Sequence, residues 1–325
     1  MDNPEKNELI LDKLKKLEEK YEASGQDMAS YLDGLLYADF LTYWDYIHLD
    51  TLLSLQNTKT AIPDEKIFLT YHQINELYFK LVLWEIEQIA NHPQIDANIF
   101  LSKLGRINRY FEHLIESFDI LVDGLFHDEF LKFRMSLLPA SGFQSVQYRL
   151  IEIASTDFSN LVALESRDKI TESITTEELF EILYWQSGSI DLESGKKTLT
   201  LQKFVERYKP RLLRNAKEYT SKNLLQIYNR RLADSDKKEE IINALKYYDI
   251  LVNVNWPLAH YKSIVRFLQK DKKDIAATGG TNYKKYLPPR FQRRIFYPAL
   301  WSEEEQENWG KSWVLKEVFN IKSEF

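Results

Sequence analysis

Two histidines and one arginine have side chains and surroundings that could do chemistry. His260 closes the apolar segment Trp256-Pro-Leu-Ala-His260, His72 lies far upstream, and Arg134 lies among apolar residues. A neutral imidazole in apolar company is a good axial ligand for iron. A buried guanidinium needs a carboxylate, which the protein or an amino-acid substrate can supply. Each residue also has a structural interpretation: a satisfied core histidine, a helix-surface histidine and an internal ion pair.

Three pairs of these residues are four positions apart, which places both members on one face of a helix. The pairs are Phe68 with His72, Phe130 with Arg134, and Trp256 with His260. His72 could be a distal hydrogen-bond partner of a bound ligand, with Glu76 orienting its ring. Pro257 is expected to disturb the backbone between Trp256 and His260. The segment Ala277–Asn282, with two glycines and Thr278, could close over a ligand or be an ordinary turn.

The elements that must position these residues are predicted to be helices. Apolar residues recur with the helical period over long stretches, strict alternation is scarce, and hairpin signals are nearly absent, so we expect an all-α fold. The predicted helices cover 7–22, 64–90, 97–121, 143–154, 179–185, 197–215, 223–232 and 238–268. Thr175 and Glu178 have the spacing of a capping box before the helix at 179.

The candidate residues lie on both sides of the looser segments 186–196 and 271–289, so neither segment is interpreted as a domain linker. We therefore expect one helical-bundle domain over 26–325, with the candidate site between long helices. The charged amphipathic helix predicted near the start makes 1–25 an N-terminal helical arm.

Composition excludes several classes of protein. The chain has 325 residues, no cysteine and a formal net charge of −6. Disulfides, thiolate-bound metals and covalently attached c-type haem are excluded, and a general electrostatic grip on nucleic acid is not expected. The basic stretches 203–214 and 284–294 are interpreted as solvated faces. No window of about 18 apolar residues and no signal-peptide pattern are present, so we expect a cytoplasmic protein without a membrane span.

Other catalytic chemistries lack their motifs. The sequence contains no phosphate-binding Gly-rich loop, no nucleophile elbow and no His-Glu-x-x-His zinc motif. A di-iron bundle needs two Glu-x-x-His helices, and the nearest match is the single Asp45-Tyr-Ile-His48. For an all-α oxidoreductase, haem is therefore the most economical metal cofactor.

The order of the motifs along the chain resembles the tryptophan 2,3-dioxygenase family from about Tyr31 to about Pro298. The matching stretches are Leu41–Gln56, Phe68–Lys80, Phe133-Arg134, Pro139–Arg149, Trp256–His260 and Ala277–Gly280. The most specific of them is Ser141-Gly-Phe-Gln-Ser145 followed by Gln-Tyr-Arg, which comes after a His-Gln-x-x-Glu-Leu motif.

The resemblance implies a helical homotetramer that binds one haem b per subunit and needs no nucleic acid or membrane. Such an enzyme inserts O2 across the indole C2–C3 bond of L-tryptophan to give N-formyl-L-kynurenine, the first step of tryptophan catabolism by the kynurenine pathway. By position, His260 would be the proximal iron ligand, with Trp256 in the haem pocket. Ser141 and Gly142 would line the distal side of the haem.

The resemblance also implies the residues that bind tryptophan. His72 would meet the indole N–H, Phe68 would pack on the indole ring, and Arg134 would pair with the carboxylate. Phe130 shares the face of Arg134 in this pocket, and Thr278 would contact the ammonium and carboxylate end of the substrate. A neighbouring subunit would complete the pocket with Tyr43, Tyr46 and Ile47.

Local departures from the family keep alternatives open. Trp44-Asp45 stands where small residues are usual, the segment between Trp256 and His260 lacks the usual arginines, and Thr-Asn-Tyr follows Gly280. One alternative is a related haem-dependent aromatic oxygenase that acts on a substituted tryptophan or inserts one oxygen. Another is a haem sensor or an inactive helical binding protein.

Overall fold

The structure is a computed structural model that describes residues 4–37, 41–187, 189, 196–268 and 288–311. The chain divides into two compact units, Met1–Asn57 and Thr58–Phe325. This division does not test the domain boundary expected after residue 25, which stays a prediction.

The described residues of the first unit form four helices, whose apolar side chains are largely exposed to solvent. They are α1 (Pro4–Ala23), α2 (Met28–Leu36), α3 (Tyr43–Tyr46) and α4 (Leu49–Leu53). Asp27 caps α2 by accepting hydrogen bonds from the N–H groups of Ala29 and Ser30, as an N-cap carboxylate should. No residue within α2, α3 or α4 is buried.

The second unit contains the long helices and most of the core. Its α-helices are α5 (Pro63–Ala90), α6 (Ala97–Glu116), α7 (Asp119–Val122), α8 (His127–Arg134), α9 (Val146–Ser155), α10 (Thr176–Glu181), α11 (Tyr184–Ser187), α12 (Leu199–Tyr219), α13 (Leu224–Ile227), α14 (Lys238–Ile250), α15 (Trp256–Leu268), α16 (Pro289–Gln292) and α17 (Glu303–Glu307). Short 3-10 helices cover Met135–Leu137, Gly142–Gln144, Phe158–Leu161, Leu164–Lys169 and Pro298–Leu300, and π-helical turns cover Tyr228–Leu232 and Leu251–Asn255.

The prediction of an all-α fold is confirmed. The described residues form no β-strand, and an isolated bridge pairs Val162 with Leu183. The same residues contain no helix that is both long enough and apolar enough to cross a membrane.

Helix α5 is the central scaffold, and its limits follow from its sequence. Pro63 occupies the first turn, where its missing N–H costs no hydrogen bond, and Asp64 and Glu65 lie at the positive end of the helix dipole. Its inner face packs against α6 and α9, with Val82 and Ile86 fully buried. The predicted helix 64–90 is confirmed to within one residue.

Two of the longest predicted helices are interrupted in the structure. The run predicted over 97–121 ends at Glu116, and the short α7 follows it. The run predicted over 238–268 consists of α14, the π-turn Leu251–Asn255 and α15. The disturbance expected at Pro257 therefore lies in the turn that precedes it, because proline cannot donate to the carbonyl one turn earlier. The capping box of Thr175 and Glu178 is confirmed, but the helix that follows it is Thr176–Glu181.

Candidate active site

An apolar cluster connects the helices that carry His72, Arg134 and His260. It joins α5, α8 and α15, and its members are Tyr71, Phe118, Leu121, Leu125 and Phe267, with Phe68, Phe130, Trp256 and Ala259 packed against them. The ring of Phe68 lies 4.2 Å from that of His72 and 6.0 Å from that of Phe130, between ring centres. The cluster forms an aromatic wall of the kind that suits a flat apolar ligand.

His72 is held in one tautomer by the backbone of its own helix. Its Nδ1 lies 2.7 Å from the carbonyl oxygen of Phe68. A carbonyl oxygen only accepts, so Nδ1 carries the hydrogen and Nε2 presents a lone pair. Burial lowers the pKa of His72, against the opposing effects of the Phe68 carbonyl and the charge of Glu76. The neutral ring can therefore accept a hydrogen bond at Nε2.

Glu76 does not orient the His72 ring, contrary to the expectation from their spacing. The side-chain amide of Gln147 instead donates to the carboxylate of Glu76 at 2.8 Å and to its backbone carbonyl at 2.7 Å. These bonds tie α5 to α9. The ring of His72 takes its direction from the carbonyl of Phe68.

His260 lies in α15 as a neutral imidazole. Burial lowers the pKa of His260 to about 4, and the repulsion that a protonated His260 would meet from a protonated His72 acts in the same direction. The ring of Phe118 stacks on it at 5.8 Å between ring centres. Among the described residues, none forms a hydrogen bond with its ring nitrogens, whereas its carbonyl accepts one from Ser263. The imidazole is therefore in the state that a metal ion requires of a ligand.

The turn at Ser141 and Gly142 lies beside this imidazole. A side chain at position 142 would begin 3.8 Å from Cε1 of His260, so glycine keeps the edge of the ring clear. The turn is fixed by a capping box between Ser141 and Gln144, and the amide of Gln144 also donates to the carbonyl of Thr200 at 3.0 Å. Gly142 thus lies beside His260, and His72 is near enough to act electrostatically on His260, although the three residues are distant in sequence.

Arg134 is buried at the end of α8, where 4% of its surface is exposed. Burial lowers the pKa of its guanidinium. The preceding Phe133 is fully buried and lies edge-on to Phe68 at 5.6 Å, and Phe130 packs on Phe267 at 4.7 Å, between ring centres. Helix α8 therefore carries a poorly solvated cation beside the aromatic wall, where a carboxylate would be bound most strongly.

Trp256 packs mainly on aromatic rings at the first position of α15. Its ring centre lies 4.8 Å from that of Phe118, 5.7 Å from that of Phe79 and 6.1 Å from that of Tyr148. It is half-buried, so it links the apolar cluster to the main core.

Four candidate residues belong to the first unit or lie outside the described residues. Tyr43, Tyr46 and Ile47 belong to the first unit, in or next to α3, and the side chains of Tyr43 and Tyr46 are 70% and 73% exposed. The segment Ala277–Asn282, with Thr278, lies outside the described residues.

The interpretation of the stretch 284–294 as a solvated face is wrong for Arg294, which is buried with 5% of its surface exposed. Its guanidinium forms an ion pair with Glu152 and donates to the side chain of Asn253. Arg149, also buried, contacts the other carboxylate oxygen of Glu152 at 3.0 Å. This cluster could not be predicted from the sequence, because charge and neighbouring residues alone do not distinguish a buried arginine from a solvated one.

The residues around His260 fit a haem. An iron porphyrin with one protein ligand needs a neutral imidazole with an available nitrogen, and His260 meets that requirement. The described residues contain no group of three or more His, Asp or Glu side chains that could bind a metal ion by themselves. A single histidine beside an aromatic wall is a donor set for a porphyrin-bound metal.

Comparisons with known proteins agree with this chemistry. Residues 36–246 match the family model described as tryptophan 2,3-dioxygenase. A protein of that name from Bacillus anthracis is 28% identical over 283 residues, which cover 82% of this chain and 94% of the relative. Proteins of that name from Ruegeria sp. (strain TM1040) and Xenopus laevis are 40% and 35% identical, over 129 and 150 residues. Those two alignments cover 39% and 42% of this chain, and 44% and 35% of the respective relatives.

Proposed function

The chain belongs to the tryptophan 2,3-dioxygenase family, and from that premise we propose that it is a haem-dependent dioxygenase that converts L-tryptophan and O2 to N-formyl-L-kynurenine. The observation that carries the proposal is the pairing of two neutral histidines with different roles. His260 has a lone pair available for iron, and His72 has one available for a hydrogen-bond donor of the substrate.

The proposed cofactor is haem b, one per subunit, with its iron bound by His260. When bound, it supplies the activation of O2, which no amino-acid side chain provides. The neutral His260 imidazole, whose ring nitrogens bond to no described residue, supports this assignment. Ser141 and Gly142 would line the cofactor pocket, and Trp256 would form part of its wall.

The chain's own residues would bind and orient tryptophan. The indole N–H would donate to Nε2 of His72, and the indole ring would pack on Phe68 and Phe130. Arg134 would pair with the carboxylate, and Thr278 would contact the ammonium and carboxylate end. Because indole is electron-rich at C2–C3, the reaction needs no strong base, and a low pKa does not handicap His72. Positioning of the substrate then supplies much of the acceleration.

The proposed assembly is a homotetramer in which a neighbouring subunit contributes Tyr43, Tyr46 and Ile47 to the pocket. The exposure of the tyrosine side chains in the first unit supports this role, because large apolar surfaces on short helices are commonly covered in an assembly. A cytoplasmic location is proposed on the absence of cysteine.

The first experiment measures the reaction itself. The protein is purified with haem supplementation, reduced, and supplied with L-tryptophan and labelled O2, and the product is identified by absorbance and mass. We expect N-formylkynurenine with both atoms of O2. A product with one labelled oxygen would favour the related aromatic oxygenase, and haem binding without consumption of tryptophan would favour a sensor.

The second experiment tests the carboxylate clamp with Arg134→Ala. Charge-assisted hydrogen bonds contribute about 1.5–3 kcal/mol each, so we expect tryptophan affinity to fall at least tenfold while haem content is unchanged. Lys132→Ala is the matched control, because it removes a cation from an exposed position of the same helix. Equal tryptophan affinity in the wild type and Arg134→Ala would refute the role of Arg134.

A further inference from the structure

The π-turn Leu251–Asn255 leaves one backbone carbonyl without its usual helical donor. In an α-helix the carbonyl of Val252 would accept from the N–H of Trp256, but here that N–H donates to the carbonyl of Leu251. In a π-helix the donor would be residue 257, which is a proline and has no N–H. A buried carbonyl needs another donor, because an unsatisfied one costs free energy.

Two buried side chains from other segments provide that donor. The hydroxyl of Tyr148, in α9, donates to the Val252 carbonyl at 3.1 Å. The Nη2 of Arg294 donates to the same oxygen at 3.0 Å, and also to the hydroxyl of Tyr148 at 3.1 Å. The three groups form a closed set of hydrogen bonds in the core.

Arg294 is held in place by further partners on the same elements. It forms an ion pair with Glu152 of α9, donates to the side chain of Asn253 in the π-turn, and donates to the hydroxyl of Tyr184. The amide of Asn253 in turn donates to Asp249 at 2.6 Å. The guanidinium therefore joins α9 to the turn through several bonds, which is the use for which its planar fork is suited.

The group that donates to the Val252 carbonyl decides whether the turn is π-helical or α-helical, and therefore the direction in which the His260 side chain points. A π-turn contains one residue more than an α-turn, and one residue corresponds to about 100° of rotation around the helix axis. If Trp256 donated to Val252, the turn would be α-helical and every later side chain of α15 would be rotated by about that angle. As long as Tyr148 and Arg294 bond to the carbonyl, they compete with this alternative.

We propose that Tyr148 and Arg294 are positioning residues for His260: they take the place of the hydrogen bond that Pro257 cannot make, hold the π-turn, and thereby fix the orientation of the imidazole. The orientation of the ring matters because of the role of His260 as the iron ligand, so this inference rests on the proposed function. Neither residue contacts the substrate or the cofactor in this proposal.

The test removes one hydroxyl and nothing else, with the variant Tyr148→Phe. Its matched control is Tyr248→Phe, which removes a buried hydroxyl of the same core that bonds to Ser155 at 2.9 Å and makes no hydrogen bond to the turn. Haem affinity and the iron–histidine stretching band are measured on the haem-loaded proteins. Amide exchange of the peptide spanning 251–260 is measured on the haem-free proteins, and urea unfolding is measured on all of them.

We expect both variants to lower the urea midpoint by a similar amount. Only Tyr148→Phe should lower haem affinity, by about tenfold, as residues that orient a metal ligand do. It should also shift or broaden the iron–histidine band and speed amide exchange in 251–260. Unchanged haem affinity, band and exchange in Tyr148→Phe would overturn the proposal, and so would equal changes in both variants.

The outcomes separate this inference from the proposed function. If the wild type binds no haem, or if His260→Ala leaves the iron–histidine band in place, the assignment of His260 as ligand is wrong. The exchange measurement on the haem-free protein still reports whether the Tyr148 hydroxyl holds the turn. Arg294→Lys keeps the charge beside Glu152 but removes the planar fork, and we expect it to speed exchange in 251–260 as Tyr148→Phe does.

Discussion

The two candidate histidines lie on helices that are built in different ways. His72 belongs to α5, an uninterrupted helix of 28 residues that packs through apolar residues against α6 and α9 and is also hydrogen-bonded to α9 through Gln147. His260 follows a five-residue π-turn whose backbone is completed by side chains from other segments. A regular helix directs its side chains by spacing alone, whereas an interrupted helix depends on the groups that stabilise the interruption.

The two histidines also differ in the buried interactions that stabilise the helices around them. The helix that carries His72 buries apolar residues such as Val82, Ile86 and Ile89, and also Glu85, which pairs with Lys103 and Arg106 of α6. Behind His260 lies a buried polar cluster in which Glu152 contacts both Arg149 and Arg294. Apolar packing is insensitive to pH, while a buried polar cluster is sensitive to the protonation and the loss of each member.

The largest expected effect comes from the centre of the polar cluster. Arg294→Met removes the cation that joins Glu152 to the π-turn. Loss of one partner from a buried ion pair costs about 3–5 kcal/mol, so we expect the free energy of unfolding in urea to fall by that amount. Arg290→Met is the control, since it removes an exposed arginine four residues earlier and should change the free energy little. Equal losses of unfolding free energy in Arg294→Met and Arg290→Met would show that the buried polar cluster near His260 has no special role in stability.

The next largest expected effect is a pH dependence of stability that arises from Asp249, in the helix before the π-turn that precedes His260. Asp249 accepts hydrogen bonds from the N–H groups of Phe296 and Tyr297 and from the indole of Trp301, yet burial raises its pKa from 3.8 to about 6. The folded state therefore binds this proton more tightly than the unfolded state. The contribution of Asp249 to stability is present below about pH 4 and is lost as the pH rises to about 6, by about 3 kcal/mol in total.

The measurement for this prediction is the free energy of unfolding of the wild type minus that of Asp249→Asn, from pH 4 to pH 7 and at equal haem content. We expect this difference to decrease as the pH rises to about 6, so that the wild type loses stability relative to the variant, and then to level off. His260, whose pKa is lowered to about 4, acts with the opposite sign in this range, but its contribution is common to both proteins and cancels. A difference that stays constant with pH would contradict the prediction.

The smallest expected effect concerns the core packing of α5, the helix that carries His72. Ile86→Val removes one buried methyl group from the face of α5 that packs into the main core. A deletion of this size costs about 0.5–1.5 kcal/mol through lost transfer free energy and incomplete relaxation. We expect the loss to be the same at pH 4 and pH 7, as measured by urea unfolding. A loss that changed with pH would show that polar groups also govern this packing.

Regular periodicity made one part of the structure predictable. The limits of α5 follow from Pro63, the acidic first turn and the apolar spacing, so the shared face of Phe68 and His72 could be predicted as well. The apolar spacing of 238–268 predicts one continuous helix, because the π-turn leaves the spacing within each of the two flanking helices nearly unchanged. Only Pro257 signalled a disturbance, and it did not indicate its form.

The burial of Arg294 could not be predicted in the same way. Its neighbours in sequence include other basic residues, which favours a solvated stretch, and its acidic partner Glu152 is 142 positions away. Position in sequence carries no information about such a distant partner unless the fold is known. The role of Tyr148 was hidden for the same reason, since its acceptor, the Val252 carbonyl, is a backbone atom 104 positions away.

The sequence by itself determined the helical class, the long α5 helix and the residue types available for chemistry, because these depend on local spacing and composition. Tertiary structure decided the lowered pKa values of His72 and His260 and the turn that directs α15. Those properties depend on burial and on hydrogen bonds between distant segments, and such contacts exist only when the chain is folded.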